Sequence, residues 1–87
     1  MIKDKDNADK KCGASNYAFD LQGGEAIESK CKEECEKNEK CVALSADWNN
    51  WCAGCVTSLT ESSTGSIAFR KSGNHFCICI QNLTCFA

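Results

Sequence analysis

The stretch Cys31-Lys-Glu-Glu-Cys35-Glu-Lys-Asn-Glu-Lys-Cys41-Val-Ala-Leu-Ser-Ala46 decides the fold. Cys31 and Cys35 stand one helical turn apart, so both thiols leave the same side of a helix. From Glu25 to about Lys37 the apolar positions Ile27, Cys31 and Cys35 recur every four residues as one narrow stripe. Glu28 with Lys32, Glu33 with Lys37 and Glu36 with Lys40 are i,i+4 pairs in the favourable order, on a solvated face. Asn38 offers a left-handed stop. Cys41 follows just past the helix end, where the chain can fold back to Cys35. Val42, Leu44 and Ala46 then alternate as a strand, Asp47-Trp-Asn-Asn50 reads as a turn, and Trp51 to Thr57 as the second arm of a hairpin. Cys52 opens that arm, within reach of Cys31. Two bridges would so staple one helix to a sheet, although spacing alone does not fix connectivity.

The flanking sequence extends the same picture. Residues 1–11 are charged and nearly without apolar anchors, which suggests a mobile tail ahead of a single domain over residues 12–87. Asn16 to Leu21 alternates, with Tyr17, Phe19 and Leu21 on one face, and Gly23-Gly24 breaks the run. Ser58 to Gly65 reads as a polar loop. Ser66 to Lys71 is a third short strand with Ile67 and Phe69 inward, and His75 to Gln81 alternates again. The expected class is α+β: a small disulfide-rich domain with one helix packed on a curved antiparallel sheet.

Composition supports that class. Nine cysteines in 87 residues is about 10%, the density of a disulfide scaffold. A chain this short buries only about 60–65% of its unfolded surface, so covalent staples matter to its stability. Such frameworks persist in secreted or cell-surface settings. The net charge of −2, with Lys and Glu interspersed, points away from nucleic acid. No apolar run approaches the ~20 residues of a membrane span, so no membrane insertion is expected. Met1 opens onto charged residues rather than a signal peptide, as in a mature or excised segment. Asn82-Leu-Thr84 is a glycosylation sequon.

The Cys31–Ala46 stretch, with its closing Cys52, resembles the core of the PAN/apple domains. That core is a helix with Cys-x3-Cys, a Cys a few residues on, a short apolar strand and a Cys in the next strand. Ile67-Ala-Phe-Arg-Lys71 is similar to the family's last core strand, and the resemblance covers about Tyr17 to Ser72. It implies Cys31–Cys52 and Cys35–Cys41 bridges. It also implies a bridge joining the domain ends, for which Cys12 with Cys77 or Cys79 is the natural pair. Cys55 has no counterpart in the pattern and is assigned to an extra bridge with a C-terminal cysteine such as Cys79. Cys85 is left over, unpaired or joined to a second chain in a homodimer. Apple-type modules bind proteins or carbohydrates and have no catalysis of their own.

Trp51-Cys-Ala-Gly-Cys55 has the outline of a redox centre. That chemistry needs Cys52 at a helix N-terminus, whereas Val56-Thr-Ser-Leu-Thr60 favours strand and turn. A zinc set of Cys52, Cys55, Cys77 and Cys79, or His75 in place of one, lacks the paired Cys-x2-Cys knuckles of ribbon sites. Structural disulfides are the better reading, with no metal and no cofactor. His75 is the one histidine and no acid–base pair accompanies it, so an enzyme is not expected. Recognition remains. Asp47, Trp48, Asn49 and Asn50 join a flat aromatic face to polar side chains at a hairpin tip, a chemistry suited to a glycan or to an extracellular protein or receptor. Trp51, beside Cys52, is expected to pack on the core. The alternative is a small diffusible signalling peptide, pheromone- or toxin-like, acting on a receptor.

Overall fold

One helix lies across a five-stranded antiparallel sheet in the computed structural model, which describes residues 1–71 and, as strand backbone only, Cys77–Leu83 and Cys85–Phe86. The strands are β1 (Ile2–Lys3), β3 (Tyr17–Gln22), β4 (Ala43–Asp47), β5 (Trp51–Cys55) and β7 (Ile67–Arg70), in the order β1-β7-β4-β5-β3. A small ribbon pairs β2 (Lys10–Lys11) with β6 (Glu61–Ser62), and β8 (Cys77–Leu83) pairs with β9 (Cys85–Phe86). The helix α1 spans Glu28–Lys37. The chain is a small disulfide-rich α+β domain.

Helix α1 buries the two cysteines of its stripe, Cys31 and Cys35, while Ile27 precedes the first turn and stays 41% exposed. Of the charge pairs, Glu28–Lys32 forms at 2.7 Å, Lys37 turns to Glu34 at 3.2 Å, and Lys40 lies beyond the last turn. Asn38 ends the helix with an extended backbone rather than a left-handed one. Its carbonyl accepts from the Lys71 Nζ at 2.8 Å, where burial pushes the Lys71 ammonium below its usual pKa against the raising pull of Glu36 and Glu39.

Beneath the helix, Ala26, Cys31, Leu44, Ala46, Cys52 and Phe69 form a closed cluster, joined by Phe19, Leu21, Trp48 and Ile67. The opposite face is not left to solvent. Cys12, Ala43, Cys55, Leu59 and Ala68 form a second cluster with Tyr17 against it. Strand β4 is therefore buried on both sides, Ala43 and Ser45 as well as Leu44 and Ala46.

The cover on that second face comes from two segments that read in sequence as tail and loop. Residues 1–11 are not a free tail. Ile2–Lys3 pairs along β7, and Lys10–Lys11 pairs with β6 inside the 58–65 loop. Met1 packs against the helix-side cluster and its ammonium pairs with Glu36 at 2.6 Å, while the rest of the segment is held by hydrogen bonds. Asp9 sits at φ 63°, donates its amide to the Ser66 carbonyl at 2.9 Å, and accepts the Gly65 amide on Oδ1 at 2.7 Å. The Lys10 carbonyl accepts from Ser45 Oγ at 2.7 Å and Ser66 Oγ at 3.3 Å. Both serines are buried, so these bonds satisfy hydroxyls that would otherwise be costly to desolvate.

Among the described residues, three disulfides tie these layers together. Cys31–Cys52 fastens α1 to β5, and Cys35–Cys41 closes the turn from α1 towards β4. The third is Cys12–Cys55. It replaces both the Cys12 pairing with Cys77 or Cys79 and the bridge from Cys55 to a C-terminal cysteine. The correction follows from register. Cys55 faces Tyr17 across the β3–β5 ladder, and the turn just ahead of Tyr17 brings Cys12 over the same end of β5.

Candidate functional site

At the β4–β5 hairpin tip, the structure uses the backbone for anchoring. Asn49 takes φ 72°, a conformation that asparagine tolerates better than most residues, and donates its amide to the Ala26 carbonyl at 2.8 Å. The Asn50 carbonyl accepts from the Gly23 amide at 2.8 Å. Asn50 Nδ2 donates to Asp47 Oδ2 at 3.0 Å, so these two exposed side chains meet each other. Trp48 does not stand out as a free platform. It is half-buried, with its ring 6.0 Å from that of Phe69, and Lys32 Nζ lies 4.4 Å from the other ring's centre. The tip therefore clamps the loop before α1, and its tryptophan belongs to the helix-side core.

Trp51 occupies the opposite face. Trp51, Ala53 and Cys55 alternate along β5 on the side away from the helix, and their cross-strand partners on β3 are Gln22, Asp20 and Tyr17. Positions 17, 20 and 22 share a face only because the register shifts between Tyr17 and Phe19. This bulge overturns the reading of Tyr17, Phe19 and Leu21 as one face: Phe19 and Leu21 go under the helix and Tyr17 goes to the other side. Bulges re-aim side chains in this manner.

The result is a recess of about 280 Å³ lined by Lys11, Tyr17, Asp20, Gln22, Trp51 and Ser63. Two partly exposed aromatic side chains, in the same intermediate range of burial as Trp48, share it with polar groups of both charges. Gln22 Nε2 donates to Asp20 Oδ1 at 2.7 Å, which orients the amide and leaves the second carboxylate oxygen to accept from elsewhere. Tyr17 also borders a broader depression beside Asn38, Glu39, Lys40, Val42 and Val56, where both valines are exposed. Sequence reasoning placed Trp51 in the core. The bulge and the cover supplied by Lys11 and Ser63 carried no sequence signal strong enough to say otherwise.

Cys52 and Cys55 lie on opposite faces of β5, each in its own disulfide, so they form neither a dithiol pair nor half of a zinc site. Among the described residues no His, Cys, Asp and Glu group of metal-binding size occurs, and no helix is long and apolar enough to cross a membrane. The side chains of His75, Cys77, Cys79, Asn82 and Cys85 lie outside the described residues.

Compared with known proteins, the chain matches no protein-family model, no curated protein and no solved structure. Fold and site together define a class: a small domain whose disulfide-stapled helix leaves an aromatic recess on the far side of the sheet.

Proposed function

We propose that this domain is a secreted or cell-surface recognition module of the PAN/apple type, which binds a carbohydrate or protein ligand without catalysis. The observation that carries the reading is the pair of partly exposed aromatic side chains, Trp51 and Tyr17, that line one recess with polar side chains on a strand pair fixed by disulfides. Amphipathic aromatic groups on a rigid frame are what recognition surfaces favour, because little freedom is lost when a ligand docks. The Cys31–Cys52 and Cys35–Cys41 connections agree with the resemblance to the apple core. Three disulfides in so small a domain are typical of extracellular proteins.

Presenting the oxidised domain to a glycan array and to a panel of extracellular ectodomains tests the reading. Saturable binding that disappears on reduction is the expected result. A domain that binds none of these, yet triggers a cellular response as a soluble peptide, is instead a diffusible signal.

A further inference from the structure

We propose that the recess between β3 and β5 seats a neutral pyranose saccharide, an inference that rests on the recognition reading above. Trp51 and Tyr17 both line the recess, and aromatic rings are the surfaces on which the C–H face of a pyranose stacks. Asp20 and Gln22, already joined at 2.7 Å, present an acceptor and an amide side by side, the pattern that engages neighbouring sugar hydroxyls. Lys11 adds a cation and Asp20 an anion, so the lining has no net charge and does not select an anionic ligand. The volume of about 280 Å³ lies at the lower edge of the ~300–1,000 Å³ range of small-molecule sites, which suits a sugar ring rather than a folded partner. Both bearing strands are fixed in advance. Strand β5 carries Cys52 and Cys55, bonded to opposite layers, and β3 pairs along it from Tyr17 to Gln22. At the hairpin tip Asp47 and Asn50 form a similar pair at 3.0 Å, but the Trp48 ring beside them packs on Phe69.

The experiment titrates the full oxidised chain with the methyl glycosides of glucose, galactose, mannose and N-acetylglucosamine, and follows the two indole N–H resonances. At least one glycoside should shift the Trp51 indole saturably and leave that of Trp48 in place. Trp51→Ala, Asp20→Ala and Gln22→Ala should each weaken binding by about tenfold or more, whereas Asp47→Ala should leave it within about twofold. Asp20 and Gln22 are exposed, so their variants keep the test valid if Trp51→Ala fails to fold. Binding that survives Gln22→Ala and Asp20→Ala but is lost in Asp47→Ala moves the seat to the hairpin tip and overturns the inference, while recognition stands. A domain that captures an ectodomain but no glycoside overturns the saccharide assignment alone. No binding to either class overturns both.

Discussion

A methyl group added at position 54 would overlap the Phe19 ring and come within 2.8 Å of Cys41 Sγ. Gly54 is thus the point where Phe19, placed on the helix side by the β3 bulge, approaches the β5 backbone closely beside a disulfide sulfur. Gly54→Ala should destabilise the domain by about 1–3 kcal/mol, because the Phe19 ring and the disulfide sulfur would both have to shift. For a domain of this size each kcal/mol lowers the melting temperature by roughly 4–8 °C, readable by circular dichroism. At this scale the sequence was legible where chemistry is periodic. Cys31 and Cys35 announced a buried stripe, and Leu44, Ala46 and Phe69 an apolar core. It was opaque where a contact comes from elsewhere in the chain. Nothing local to Trp48 says that it meets Phe69, and nothing local to Trp51 says that Lys11 and Ser63 will frame it.

At the scale of elements, the helix and hairpin followed from periodicity and turn residues, although Asn38 did not take the left-handed stop expected of it. The second layer did not follow from them. Lys10–Cys12 and the Ser-rich 58–65 loop carry few apolar residues; Cys12 and Leu59 pack into the second cluster, and the remaining docking rests on hydroxyl and amide bonds that no hydrophobic pattern reveals. Ser45 is the clearest link between layers, being fully buried with Oγ 2.7 Å from the Lys10 carbonyl. Ser45→Ala should cost about 1 kcal/mol, the lower part of the usual range, because Ser66 Oγ still reaches the same carbonyl. Hydrogen exchange should localise the change, with faster exchange near Lys10 and Lys11 and unchanged protection in α1. A uniform rise in exchange across the chain would contradict that account. The bulge has a second effect, since it interrupts β3 at the sheet edge beside an exposed Asp20, two features that discourage edge-to-edge pairing.

For the molecule as a whole, β5 is bolted from both sides, to the helix through Cys52 and to the N-terminal layer through Cys55. Replacing Cys12 and Cys55 together by alanine should remove about 2–4 kcal/mol of stability and loosen the far layer, with the helix staples intact. Denaturant unfolding measures the first effect. Non-reducing peptide mapping of the wild-type chain should return Cys12–Cys55, Cys31–Cys52 and Cys35–Cys41. Recovery of Cys52 joined to Cys55 would refute the two-sided arrangement. The three bonds also have an order written into the chain: 35–41 lies inside 31–52, which lies inside 12–55, with sequence separations of 6, 21 and 43. No described bond crosses another, so the pairing is planar rather than knotted. Each closure shortens the next, and once Cys31 meets Cys52 the path from Cys12 to Cys55 falls to about half its original length, lowering its entropic cost. Oxidation can therefore proceed like brackets closed from the innermost outward, with the N-terminal layer sealed last over a sheet already in place.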